Sequence, residues 1–458
     1  MTVYASEKLA RAATQTRWSE LPVSVQGQAK DLFVDTVAVS SAGLCHPSYA
    51  PLVEALCTEP GCATVPGLPQ GVPINTAVQI NGGATTVLQL QDGHRMGRGH
   101  PASHMVPALL ALAEENNVNA DAVLSALVAG YEIGARIGIA MGGLSPLLHD
   151  TGTWSAIGTA VAAAHLLSGA EATVIAAAIE SSAATALMPY RELPVQGASA
   201  HHLYIGLGAT SGVMAARGAV AGMAPLPGTL ETFFGPRAGD AFNADLLGAG
   251  LDKTERWSRF EIERAYFKVH PTCAHLHGAN DAILSLINTH GFGADDVGKI
   301  EVSTYAAGLS FDNPTPVNAF AARFSISATV AVAVCCRALD ETTLTDENLK
   351  SAAVQALIKR IHVVHDSALD AGYPDGRPAC VTLSLNDGTT ISERVQFPRG
   401  DHTNPIDRGS LRAKARRLLF IRFADRDANA VLDALDSYLD GGPIGDVSTA
   451  MRTPSRTV

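Results

Sequence analysis

Apolar residues recur at helical spacing through most of the first 260 positions. In SVQGQAKDLFVDTVAVSSAG, Ala29, Leu32, Val34 and Val37 fall near one face, within a helical pattern running from residue 5 to about 45. Residues 46–75 are rich in Pro, Gly and Cys and read as loop with short pieces of structure. The spacing then predicts helices at about 75–90, 104–117, 119–141, 155–168, 171–188 and 200–221, each parted from the next by Gly, Asn or Pro. Near residue 260 the period changes. KIEVSTY (299–305) sets Ile300 and Val302 against polar neighbours, as a strand does, and IHVVHD (361–366) is a second strand candidate. In CVTLSLNDGTTISERV (380–395), Val381, Leu383 and Leu385 alternate, Asp387–Gly388 supplies a turn, and Ile391 and Val395 return. Helices at about 323–338 and 346–359 lie between the strands, and helices at about 408–419 and 425–439 follow PRGDHTNP. The pattern predicts a mainly α protein: a large all-helical domain over 1–262 and 405–458, and a smaller α+β domain over 263–404.

Composition sharpens this picture. Hydrophobic residues make up 47% of the 458 and charged residues 17%, which is core-rich and excludes a disordered chain. Aromatics are only 5%, so Ala and Gly must let helices approach closely. The net charge of −11 and the lack of a Lys/Arg cluster argue against a nucleic-acid partner. An anionic ligand would need a local cationic pocket. Seven scattered cysteines without CxxC spacing fit reduced thiols in a cytoplasmic protein. MTVYASEKLARAATQ is charged and amphipathic, unlike a signal peptide. Glu, Ser and Gly break the apolar runs, so no membrane span is expected.

Four polar islands stand out. QDGHRMGRGHPASH (91–104) places Asp92, His94, Arg95 and His100 just ahead of a helix expected to start near Ser103, a favourable place for an anion. Its Gly93–Gly99 loop is flexible by composition. LLHDTGTWSAIGTAVAAAHLL (147–167) carries His149 and Asp150 before a second helix start, with Thr153 or Ser155 as its cap. QGASAHHLYIGLGA holds His201, His202 and Tyr204. YFKVHPTCAHLHGANDA holds Lys268, His270, Cys273, His275, His277 and Asp281, where the two domains should meet.

Three chemistries compete for these residues. His94, His100 and His104, or His275 and His277, are candidate metal ligands, but HExxH is absent and the spacings match no common zinc pattern. No GxSxG elbow supports a nucleophile, and no glycine stretch follows a strand as a phosphate loop would. Proton transfer without a metal suits several histidines near a lysine and an arginine, with the cations holding carboxylates and a developing enediolate. Each residue also has a plainer reading. His100 and His149 would cap helices, Asp92 would complement a helix dipole, Lys268 would be solvated, and Cys273 would be a small buried hydrophobe.

LQLQDGHRMGRGHPASHMVPALLALAEE resembles the signature of the MmgE/PrpD family. GYEIGARIGIA, HDTGTWSAIGTAVAAAHLLSG, FKVHPTCAHLHGANDA, ARFSISATVAVAV and PRGDHTNP resemble further family segments in the same order. The resemblance implies a helical domain, an α+β lid, a homodimer and an active site in the interdomain cleft, without metal or cofactor. It implies a lyase that moves a proton α to a carboxylate of a small-molecule substrate. The first choice is a hydro-lyase acting on a hydroxy-(poly)carboxylate, like 2-methylcitrate dehydratase. The alternatives are a decarboxylase like cis-aconitate decarboxylase, an epimerase like iminodisuccinate epimerase, or an inactive binding protein. By position the resemblance points to His149 as leading acid/base, with Asp92, His94 and His100 in the catalytic set. Lys268, Arg95, His201, Cys273 and His277 would bind substrate, and His100 would also hold a carboxylate. Gln91 stands where the family usually has a second aspartate, and His201 near the place of a family lysine. The imidazole in place of a permanent cation implies a substrate less charged than a tricarboxylate, or a specialised role, and the two departures together motivate the inactive binding protein.

Overall fold

Glycine sets the spacing at the centre of the protein. In the computed structural model, which describes residues 3–453, the helix Ala120–Ala140 crosses the helix Trp154–Ser168 at Gly130, Gly134 and Gly158. A Cβ on Gly130 would lie 2.6 Å from the Gly158 oxygen, so no larger residue fits there without moving a backbone. Met1, Thr2 and residues 454–458, placed by the sequence reading at the ends of the helical domain, lie outside the described residues.

The architecture is mainly α. Helices Ala5–Thr14, Val23–Gly43, Ile74–Ala84, Pro101–Asn116, Ala120–Ala140, Trp154–Ser168, Ala172–Thr185 and Leu203–Val220 form the first body. Ala120–Ala140 starts where Asn119 accepts the Ala122 N–H at 3.0 Å. It is long and apolar enough to cross a membrane, yet its side chains are enclosed by neighbouring helices. The helix Val23–Gly43 is buried around its whole circumference from Leu32 onward, not on one face. Helices Arg408–Arg422, Asp425–Leu439 and the unanticipated Ile444–Met451 return to it. Leu411, Leu418 and Leu435 share one core with Val25, Leu32 and Phe33. Lys414 crosses that core, 2.8 Å from Asp35, and donates to the Leu90 carbonyl at 3.0 Å.

A second core packs a four-stranded sheet against helices His277–His290 and Ile326–Cys336. The strand order is β4 (Ile361–His365), β3 (Val297–Thr304), β5 (Ala379–Leu385), β6 (Thr390–Val395). β3 pairs parallel with β4 and antiparallel with β5, placing Ile300 between Ile361 and Leu383. The expected β5–β6 hairpin turns at Gly388, whose φ of +89° needs glycine. A separate two-residue ladder joins β1 (Gly93–His94) to β2 (Ala265–Tyr266), and so ties the first polar island to the fourth.

Candidate active site

The first island is shaped by its aspartate. Asp92 is fully buried, and its carboxylate accepts from Ala102 N (3.0 Å), Ser103 N (3.0 Å) and Ser103 Oγ (2.6 Å). The helix therefore begins at Pro101, with proline at its first position, rather than near Ser103. Its N-terminal anion is a side chain of the protein, not a ligand. Burial lifts the Asp92 carboxyl to about 6, against the three donors.

Nor is the Gly93–Gly99 loop loose. A Cβ on Gly99 would lie 2.3 Å from the buried Trp154 ring, and one on Gly97 3.3 Å from it. His94 accepts the Gly97 N–H at Nδ1 (2.9 Å) and sets Nε2 3.3 Å from Glu261. Arg95 forms a buried ion pair with Asp401 at 2.6 Å. Asp92, His94 and Arg95, assigned from sequence to the site, lie in the frame behind it. None of them lines the cavity between the helical body and the sheet-bearing part.

That cavity, of about 280 Å³, lies between the helical body and the sheet-bearing part. His100, His149, Lys268 and Cys273 line it, brought together from three of the four islands. His201 and His277, also assigned to substrate, do not line it. His201 lies behind His149, ring centroids 4.8 Å apart, with neither nitrogen bonded among the described residues.

The two cavity histidines are held in opposite tautomers. His100 Nδ1 donates to the Asp92 carbonyl at 2.5 Å, which leaves the Nε2 lone pair free, 3.7 Å from Asp150 Oδ2. His149 Nδ1 accepts from Thr151 N (3.2 Å) and Thr151 Oγ1 (2.8 Å), which leaves the proton on Nε2. Burial lowers both rings below the ordinary histidine range, His100 to about 3, with Lys268 adding to the effect. Both are neutral at pH 7. His104 staples their segments: it donates from Nδ1 to the His100 carbonyl (2.8 Å) and accepts the Gly152 N–H at Nε2 (2.9 Å). The second helix starts at Trp154 without a side-chain cap, because the Thr153 hydroxyl turns back to the Asp150 carbonyl. Among the described residues no group of three His, Cys, Asp or Glu side chains is arranged to hold a metal ion.

Lys268 is buried, not solvated, and its ammonium donates to Gln89 Oε1 at 3.3 Å. Burial pushes it down to about 8. Sequence reasoning missed three more cations on the cavity wall, Arg98, Arg191 and Arg377. Their guanidinium groups lie over Tyr373, Phe311 and Tyr266 at 5.5, 6.0 and 5.3 Å. It also missed Gln89; His275, weighed from sequence only as a metal ligand, lines the cavity too and meets the Tyr305 hydroxyl at 2.5 Å. Against four cations stands one carboxylate, Asp150, whose Oδ2 has no hydrogen-bond partner among the described residues. Gln89 and Arg98 hold left-handed backbones, φ +54° and +55°, a strain that concentrates at sites needing fixed geometry. Leu144, Leu148, Val195, Ala307, Phe311 and Phe324 make the remaining wall apolar.

Residues 7–235 match the MmgE/PrpD N-terminal domain, and residues 270–437 the MmgE/PrpD C-terminal domain. The chain is 25% identical to a cis-aconitate decarboxylase of Aspergillus terreus, over 85% of this chain and 84% of that protein. It is 26% identical to the cis-aconitate decarboxylase-like protein oryM of Aspergillus oryzae, over 90% of this chain and 89% of that protein. It is 25% identical to the alkylcitrate dehydratase phiI of a fungal species, over 46% of this chain and 44% of that protein.

Proposed function

The chain belongs to the MmgE/PrpD family, and on that premise we propose that it is a metal-free lyase that eliminates water from a small hydroxy-polycarboxylate. One observation carries the reading: two neutral imidazoles, one with a free lone pair and one with a free N–H, face a cavity of four cations. Elimination needs a base at the carbon α to a carboxylate and an acid at the leaving hydroxyl. His100 Nε2 takes the proton, and the new imidazolium is stabilised by Asp150. Lys268 and Arg377 hold the carboxylate and take up the charge of the enediolate. His149 Nε2–H protonates the departing oxygen. This exchanges the emphasis of the sequence reading, in which His149 led and His100 doubled as a carboxylate holder. The cavity is at the small end of ligand pockets, which suits a metabolite-sized acid. Its apolar wall suits an apolar substituent on that acid.

Decarboxylation is the second reading, favoured by a relative named cis-aconitate decarboxylase and another named as like it, both aligned over most of their length. Purified protein incubated with citrate, 2-methylcitrate or cis-aconitate in D₂O decides between them. Water loss gives the ultraviolet absorbance of a conjugated double bond without CO₂. Release of CO₂ from cis-aconitate would replace the dehydratase reading. Deuterium uptake alone would point to epimerisation, and ligand-induced thermal stabilisation without any turnover to a binding protein. The proposal extends to a homodimer, for which the exposed Leu207 and Met214, seven residues apart on one helix, offer apolar contacts on one face. A monomer mass by light scattering would end that part.

A further inference from the structure

His277 is buried outside the candidate active-site cavity, yet its Nε2 has no partner among the described residues. Its other nitrogen is engaged by the Thr272 backbone. Arg377, on the cavity wall, has an Nε in the same condition. Both side chains line one small void of about 10 Å³, together with Tyr266, Arg399 and Asp401. That volume matches a single water, and the polar lining gives it partners. The void and the cavity share Tyr266, Ala274 and Arg377 as a common wall. A buried donor and a buried acceptor left unpaired each carry a desolvation cost that a bridging water removes.

We infer that one ordered water accepts from Arg377 Nε–H and donates to His277 Nε2, making His277 a positioning residue for the Arg377 guanidinium. Through that water His277 fixes the plane in which Arg377 meets a carboxylate, although it never touches substrate. The ring contact with His270, centroids 5.2 Å apart, holds the imidazole from its other side. The inference rests on the proposed role of Arg377 as a carboxylate holder, and the test separates the two.

The probe is propane-1,2,3-tricarboxylate, with its Kd measured by calorimetry on the full-length protein. His277→Leu should weaken binding about tenfold by removing the acceptor, while His277→Gln, which keeps one, recovers most of it. Arg377→Ala should weaken it at least as much. If Arg377→Ala binds like the parent, the carboxylate-holding reading fails and this inference falls with it. If Arg377→Ala weakens binding but His277→Leu does not, only the inference is overturned. Equal losses in the Leu and Gln variants would mark His277 as packing alone. Should the leucine variant not fold, a crystal structure of the parent protein decides. Density for a water between the two nitrogens supports the bridge, and a dry void refutes it.

Discussion

Lys268 offers the sharpest electrostatic test. Its side chain is 1% exposed and its ammonium is pushed by burial from the ordinary 10.5 to about 8. The shift is downward, so the charged form is present below about pH 8 and lost as pH rises through it. A lysine titrating there is about nine-tenths charged at pH 7 and about one-tenth charged at pH 9. If the ammonium holds a carboxylate, affinity for propane-1,2,3-tricarboxylate should fall about tenfold between those values. A solvated lysine would leave affinity flat until above pH 10, as the plainer sequence reading required. The assay is calorimetric Kd at half-unit intervals from pH 6.5 to 9.5, with circular dichroism confirming that the fold persists. Lys268→Arg is the control, because a guanidinium keeps its charge throughout. Its affinity should be lower at pH 7 for want of the right shape, but level with pH. A parent protein with no fall by pH 9.5, or an arginine variant that falls as the parent does, would refute the assignment.

Three further outcomes follow from the frame of the site. His100→Gln removes the basic ring nitrogen and should lower kcat by about 10²–10⁴, whereas a merely structural His100 would leave kcat intact and shift only the unfolding midpoint. Asp92→Ala leaves three buried donors without an acceptor and should cost about 2–3 kcal/mol in urea unfolding, with Asn recovering part; an unchanged midpoint contradicts the helix-terminus role. Gly99→Ala forces a methyl into the buried Trp154 ring and should cost about 1–3 kcal/mol, together with most of the turnover, because His100 follows immediately; full activity would mean that the ring yields.

Much of this fold was legible because hydrophobic period and burial agree. The long helices and the β5–β6 hairpin fall where their spacing put them, and the misses have local causes. Pro101 belongs inside its helix, since its absent N–H is one that a first turn never uses. The helix expected to reach residue 90 stops at Ala84, and Gln89 then turns left-handed to meet Lys268. At the site, polar islands in an apolar background identified His100, His149, Lys268 and Cys273. They did not reveal which way each side chain points. An aspartate ahead of a helix serves equally well as an internal cap or a reacting group, and only the backbone decides that Asp92 is the former. Arg191 and Arg377 were overlooked because each is a lone cation in an ordinary loop, MPYRELP and YPDGRPA. The shared signal was an arginine set among prolines and a tyrosine. The proline fixes the loop and an aromatic ring carries the guanidinium.

The proposed choice of imidazole over carboxylate as base follows from the cations. A second carboxylate beside Asp150 would repel the substrate's own carboxylates and compete with them for Lys268 and the arginines. A neutral ring does neither. In the empty cavity burial and Lys268 leave His100 at about 3, too weak to abstract a carbon-bound proton effectively. A substrate carboxylate arriving about 5 Å away changes that field by about 3 kcal/mol at an effective dielectric of about 20, or roughly two pKa units. Two carboxylates would bring the ring back to its ordinary range. In the proposed mechanism, the anion that the arginines recruit would therefore also make His100 basic. On this proposal base strength would appear only with substrate in place, and the surplus of cations would serve binding and activation by the same charge.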